Sequence, residues 1–205
     1  MRFYSRVLLP RLLDWVMSDA LFTQYRQQVL ATVEGEVLEI GFGTGLNLAH
    51  YPASICQITT VDPNPGMQAI AKKRIRASAI DVNYQVLNSE SLPMPDHTFD
   101  SVVSTWTLCS IANVEQALRE IYRVLKPNGK FFFIEHGLSS KPEIQVWQHR
   151  LTPLQKLIAD GCHLDRNIQA LVEQQFDRVE LRRFTPDNMP ELTTHFYRGI
   201  ATKTA

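Results

Sequence analysis

The chain has 205 residues, enough for one domain with a full core and too few for a comfortable pair. Apolar residues at 44% and charged residues at 20% are ordinary globular values, and 21 basic against 21 acidic side chains leave no net field to draw nucleic acid, so a small-molecule partner is expected. Cys56, Cys109 and Cys162 form no C-x-x-C pair, no run approaches the roughly 18 apolar residues of a membrane span, and the start shows no signal-peptide h-region, so we expect a cytoplasmic protein with no metal site and no spanning helix.

Residues 1–33 place Tyr4, Val7, Leu8, Leu12, Trp15 and Val16, then Leu21, Phe22, Tyr25 and Val29, at helical spacing. Two amphipathic helices are expected, with Pro10 in a first turn and Ser18 capping the second. They read as a helical lid over the domain formed by residues 34–205. Arg2, Arg6 and Arg11 beside apolar residues also allow a peripheral membrane contact through residues 1–17, although Asp14 and Asp19 dilute that charge.

Residues 36–45, Glu-Val-Leu-Glu-Ile-Gly-Phe-Gly-Thr-Gly, read as a buried strand entering a ligand loop. Gly41, Gly43 and Gly45 let the backbone turn sharply and come close to a ligand. A second apolar run at 58–62 ends in Asp62, 21 residues after Gly41, the spacing of a βαβ unit whose second strand tip binds a ribose. A turn aspartate before Pro63 is the plainer alternative.

The third glycine separates two cofactor classes. A dinucleotide fingerprint would place it at position 46, where the chain has Leu46, whereas here it comes at Gly45. The stretch from Val37 to Gly45 resembles the first motif of class I S-adenosylmethionine-dependent methyltransferases, and Glu39 and Asp62 match that family's two acids. The resemblance implies S-adenosylmethionine as cofactor and S-adenosylhomocysteine as product. It also implies cofactor contacts at Asn47, Pro63, Ser89, Glu90, Thr105 and Leu108.

Beyond Asp62, Asn64 and Pro65 are expected to start a helix carrying Met67, Ile70, Ala71 and Ile75 on one face. A third strand is expected over 82–87, followed by the polar loop 88–93. In the family this loop holds the adenine, commonly through an aspartate where this chain has Asn88. Residues 99–105 read as a fourth strand ending in Trp106, whose ring face suits a sulfonium cation or simply the core.

Asn113 with Gln116 marks the start of a helix whose Val114, Ala117, Leu118, Ile121, Val124 and Leu125 keep one apolar face, stopping at 126–129. Residues 130–135 form a buried fifth strand, and strand ends on that side face the ligand crevice, which makes His136 the strongest candidate base, with Glu135 beside it. Residues 141–176 read as helical, broken by Pro153 and by Asp160-Gly161-Cys162-His163-Leu164-Asp165-Arg166. There Asp165 is expected to cap the next helix, with Cys162 and His163 lining an acceptor pocket. An antiparallel pair over 178–184 and 195–203 closes the sheet.

This order resembles the class I methyltransferase fold over about 34–203: an α/β, doubly wound, Rossmann-like sheet of seven strands with helices on both faces and a C-terminal antiparallel hairpin. Thr107-Leu108-Cys109-Ser110, Glu135-His136-Gly137 and Asp160-Gly161-Cys162 resemble the alkyl thiol methyltransferase branch. The expected acceptor is a small, largely apolar nucleophile, with sulfur first. Trp106, Cys109 and Cys162 are expected in its pocket, His136 and His163 as catalytic candidates, and Tyr4 or Arg6 near the cofactor's methionine carboxylate. Quinone, lipid or phenolic acceptors remain open, as does trivalent arsenic if Cys109 and Cys162 meet. Outside methyl transfer, a nicotinamide-dependent oxidoreductase and a silent cofactor-binding protein stand as alternatives. The sequence does not set the oligomeric state.

Overall fold

The computed structural model describes residues 3–204, so Arg2 lies outside the described residues. Seven strands form one sheet in the order β3-β2-β1-β4-β5-β7-β6. β1 (Val37–Ile40) is the hub, pairing in parallel with β2 (Gln57–Val61) on one side and β4 (Phe99–Thr105) on the other. β3 (Asp81–Gln85) and β5 (Leu125–His136) extend it in parallel, and β7 (Phe196–Thr202) runs antiparallel between β5 and β6 (Arg178–Phe184). The strand order reverses between β1 and β4, which opens a crevice at their carboxyl ends.

All four residues of β1 are buried, as a parallel strand covered on both faces requires. On one face lies α4 (Val114–Val124), whose Val114, Ala117, Leu118, Ile121 and Val124 recur at helical spacing and sit in a core with Phe131 and Phe133. Each larger apolar side chain so buried stabilises the fold by about 1.5–3 kcal/mol relative to exposure. α6 (Ile168–Gln175) shares that face. On the other, Val29 and Leu30 of α2 (Ala20–Leu30) and Ala71 of α3 (Pro65–Ala77) pack with Phe132 and Ile134.

Local chemistry departs from expectation at three points. Asp19, not Ser18, caps α2 by accepting from Leu21 N–H, while the Ser18 hydroxyl turns back to the Asp14 and Trp15 carbonyls and closes α1 (Leu9–Met17). Asn167, not Asp165, caps α6 by accepting from Ala170 N–H, because Asp165 is taken by His149. Pro153 does not break α5 (Pro142–Ile158): its exposed position leaves the bond it cannot make to solvent. Asn64 and Asn113 cap α3 and α4 as expected.

Candidate active site

A cavity of about 540 Å³ opens at the carboxyl ends of β1, β2, β4 and β5, roofed by Leu13, Val16 and Met17 of α1 and by Phe22 and Arg26 of α2. Its floor on the β1 side is the glycine loop. Gly41 has φ +73°, and a Cβ there would collide with the Thr107 side chain, so this glycine serves the close approach of two loops. Gly43, at φ +56°, has open space where its Cβ would be, so this glycine keeps room beside the cavity.

Asp62 joins the loop to the second strand tip. Its Oδ2 accepts from Gly43 N–H at 2.7 Å and its Oδ1 from Asn64 N–H at 2.8 Å, and it lines the cavity. Burial pushes its carboxyl up, against the two backbone N–H groups that favour the ionised form. Each oxygen keeps a lone pair for a further donor, such as a pair of ribose hydroxyls.

Glu39 stands one layer back from the wall. It is almost completely enclosed and accepts from Tyr51 Oη at 2.7 Å and Asn47 Nδ2 at 2.8 Å, and burial pushes its carboxyl up to about 7. The side chain it orients, Asn47, does line the cavity, held also by a 3.1 Å bond to Thr105 Oγ1. Asn47 Oδ1, Arg26 Nε and Trp106 Nε1 are buried polar atoms of cavity-lining residues that find no partner among the described residues. An unmatched buried group of this kind costs on the order of 1–3 kcal/mol. Asn47, Arg26 and Asp62 give the cavity wall an amide, a cation and a carboxylate, a set that an amino-acid ligand carrying a ribose would satisfy, and S-adenosylmethionine fits it.

Arg26 had not been singled out in the sequence, although a cation between Phe22 and Leu30 on the buried face of α2 is a readable signal. Its guanidinium sits 4.9 Å from the Trp106 ring centroid and donates to the Met17 carbonyl at 2.7 Å. Burial lowers its pKa to about 10, which leaves it cationic at neutral pH.

Pro63, Asn88, Ser89, Glu90 and Thr105 line the cavity as expected of cofactor contacts. Asn88 Oδ1 is engaged by Glu90 N–H, and Glu90 Oε1 accepts from Asn113 N–H, so both also shape their own loop. Other expected residues lie off the wall. The Tyr4 hydroxyl donates to the Ile158 carbonyl, and Arg6 is exposed. Gly45 packs beside the Phe42 ring, and Leu108 is core. His163 turns its ring toward Asp165 at 3.5 Å.

The opposite wall carries sulfur and imidazole. Cys109, His136 and Cys162 all line the cavity, with the two Sγ atoms 3.5 Å apart and Cys162 Sγ 3.6 Å from His136 Nδ1. The hydrogen bond between the two sulfurs holds Cys162 below the ordinary thiol range and, with burial, pushes Cys109 well above it. Glu135 is fully buried and spends its oxygens on Ser104 Oγ, Thr107 N–H and Cys109 N–H, so it fixes the Cys109 loop instead of meeting a ligand. Arg166 pins the same loop through the Leu108 and Ile111 carbonyls. Its sequence context gave no sign of that role.

Residues 38–133 match the family model described as a methyltransferase domain. The rat thiol S-methyltransferase TMT1B is 38% identical over 169 residues, covering 78% of this chain and 68% of its own. The ubiquinone/menaquinone biosynthesis C-methyltransferase UbiE of Shewanella sediminis is 34% identical over 144 residues, covering 64% of this chain and 56% of its own. Among solved structures, the phosphoethanolamine N-methyltransferase 2 of Haemonchus contortus, in complex with S-adenosylhomocysteine, superposes with a TM-score of 0.72 at 16% identity. That match covers 94% of this chain and 57% of the other and shows the shared fold.

Proposed function

The chain belongs to the methyltransferase domain family and is an S-adenosylmethionine-dependent methyltransferase, and from that premise we propose that its acceptor is a small, largely apolar thiol. The observation that carries the proposal is the Cys109–His136–Cys162 cluster facing the glycine loop across one cavity. The rat relative, a thiol S-methyltransferase by name, supports it.

When bound, the cofactor supplies an electrophilic methyl on a sulfonium that is already a good leaving group, so alignment and exclusion of water are the main demands on the protein. Asp62 would hold the ribose, Asn88, Ser89 and Glu90 the adenine end, and Asn47 with Arg26 the amino and carboxylate groups of the methionine end. Arg26 thereby takes the part expected of Tyr4 or Arg6. The segment carrying α1 and α2 would act as the lid expected over residues 1–33, its Leu13, Val16 and Met17 keeping water from the reacting atoms. His136 lines the acceptor end of the cavity, where loss of the acceptor's proton is a modest demand because a thiolate forms near neutral pH.

The test is turnover with small alkyl thiols beside phenols, quinols and trivalent arsenic. Thiols should be methylated, and His136→Ala should lower turnover by roughly 10²-fold with S-adenosylhomocysteine affinity retained. Transfer to quinols or phenols and to no thiol would overturn the acceptor assignment.

A second proposal concerns location. No helix among the described residues is long and apolar enough to cross a membrane. Yet Leu8, Leu12 and Trp15 at the N-terminus and Trp147, Leu154, Leu157 and Ile158 of α5 are exposed, and the Tyr4 bond to Ile158 puts these two stretches side by side. Arg11, Arg150 and Lys156 flank them. A cytoplasmic enzyme that rests this face on an anionic bilayer would draw apolar acceptors from it. Co-sedimentation with phosphatidylserine-containing vesicles should be weakened in a Trp15→Ala, Leu157→Ala double variant. Failure of the unaltered protein to sediment would remove this proposal.

A further inference from the structure

We propose that Cys109, His136 and Cys162 form a zinc site with one open position, and that the acceptor thiol binds there as the fourth ligand. The ligating atoms of the three residues all lie within 4.8 Å of one another. Tetrahedral zinc with bonds of about 2.3 Å to sulfur and 2.0–2.1 Å to nitrogen requires sulfur–sulfur separations of about 3.8 Å and sulfur–nitrogen separations of about 3.6 Å. The side chains show 3.5 Å between the sulfurs and 3.6 Å from Cys162 Sγ to His136 Nδ1. Closing the two sulfurs onto the metal takes a few tenths of an ångström, whereas Cys162 Sγ is nearly equidistant from the two ring nitrogens, 3.6 Å from Nδ1 and 3.7 Å from Nε2, so the His136 imidazole must also rotate to aim one nitrogen at the ion.

The cluster is held as a built site. Two successive residues with positive φ, Asp160 at +50° and Gly161 at +88°, turn Cys162 inward. His163 N–H then bonds to the Cys109 carbonyl at 2.9 Å, which stitches the two cysteine segments together at the backbone. Glu135 and Arg166 fix the Cys109 loop from the other side. Asp160 also meets Asn64 at 3.2 Å, so the turn that carries Cys162 is tied to the cofactor loops.

Two thiolates and an imidazole with a fourth position open toward substrate are a donor set used by catalytic zinc, and the imidazole favours zinc over a trivalent arsenical, which binds through sulfur. The consequence for chemistry rests on the thiol acceptor proposed above. Coordination removes the thiol's proton to solvent, so His136 acts as ligand in place of base. The bound thiolate forms the new sulfur–carbon bond as the sulfonium–methyl bond breaks, its electron pair leaving on S-adenosylhomocysteine. The product thioether carries no charge and is a weaker ligand, which lets it go.

The experiment uses the full chain, reduced and chelator-treated, titrated with Co(II) while its visible and near-ultraviolet spectrum is followed. One equivalent should bind with sulfur-to-cobalt charge-transfer bands and intense tetrahedral ligand-field bands, and zinc should displace it. Cys109→Ser and Cys162→Ser should each lose those bands, Cys56→Ser should keep them, and calorimetry with S-adenosylhomocysteine checks that each variant is folded. A small alkyl thiol added without methyl donor should shift the cobalt bands. No cobalt uptake by the reduced protein, uptake unchanged in both cysteine variants, or uptake of a trivalent arsenical in place of cobalt overturns the site. Full thiol methylation by the metal-free protein overturns it too and leaves the thiol function standing. A metal-loaded protein that methylates no thiol overturns the substrate step and the thiol function together.

Discussion

The two walls of the cavity are built in opposite ways. On the cofactor side the glycine loop and Asp62 come from one contiguous passage, β1 through Asp62, where backbone N–H groups position the carboxylate, and Arg26 and Trp106 are added from α2 and the end of β4. Its cavity-lining side chains keep unmatched polar atoms at Arg26, Asn47 and Trp106. On the acceptor side the chemistry comes from residues 26 and 53 positions apart, and the fixed groups around it, Glu135 and Arg166, are saturated with partners. One wall is preorganised to receive hydrogen bonds and the other to hold a small reactive cluster still. The difference implies that the two can be damaged separately.

The largest expected effect tests that independence. Asp62→Ala removes both acceptors for the ribose hydroxyls and should weaken S-adenosylhomocysteine binding by about 2–4 kcal/mol. Calorimetry measures it directly. The Cys109–His136–Cys162 wall should be untouched, so Co(II) binding in the same variant should match that of the unaltered protein. Unchanged nucleotide affinity in a folded Asp62→Ala protein would sink the ribose assignment. Loss of cobalt binding along with it would show the walls to be one cooperative unit.

The same division decides what could be read from the sequence. The positions of the strands, the glycine loop, Asp62 and the caps at Asn64 and Asn113 were legible, because each depends on neighbours a few residues away, while the order of the strands in the sheet rested on the family resemblance. Seven strands with a final antiparallel pair followed from alternation and spacing. The side-chain layer was less legible. Arg6 looked right for a carboxylate by its place near the N-terminus, yet Arg26, one helix later, is the buried cation on the wall. Glu39 is expected as a cofactor contact from the resemblance, and in the structure it lies behind the cavity wall with its oxygens bonded to Asn47 and Tyr51. The expectation of no metal site rests on the absence of a close cysteine pair in the sequence. The cluster at Cys109, His136 and Cys162 is assembled by the turn at Asp160-Gly161 and the end of β5, and no local spacing encodes that meeting.

A smaller effect sharpens the comparison through its two buried acids. Glu39 on the cofactor side and Glu135 on the acceptor side are both enclosed, and burial raises both carboxyls. Glu39 titrates at about 7 in the folded protein against 4.5 for an ordinary glutamate. Between those values the folded state keeps a proton that the unfolded state has released. Protonated Glu39 therefore contributes its full stability below about pH 4.5, and that contribution is lost as pH rises to about 7. The full shift corresponds to about 3 kcal/mol, and relaxation around the charged form should reduce it to about 1–3 kcal/mol. Chemical denaturation of the unaltered protein and of Glu39→Gln at several values from pH 5 to pH 8 measures the difference. The amide keeps an acceptor for Asn47 Nδ2 and cannot ionise, so this variant should lose that part of the pH slope while the part owed to Glu135 remains. An identical slope in both proteins would mean that Glu39 is already ionised when buried, with Arg26 and not a proton balancing its charge.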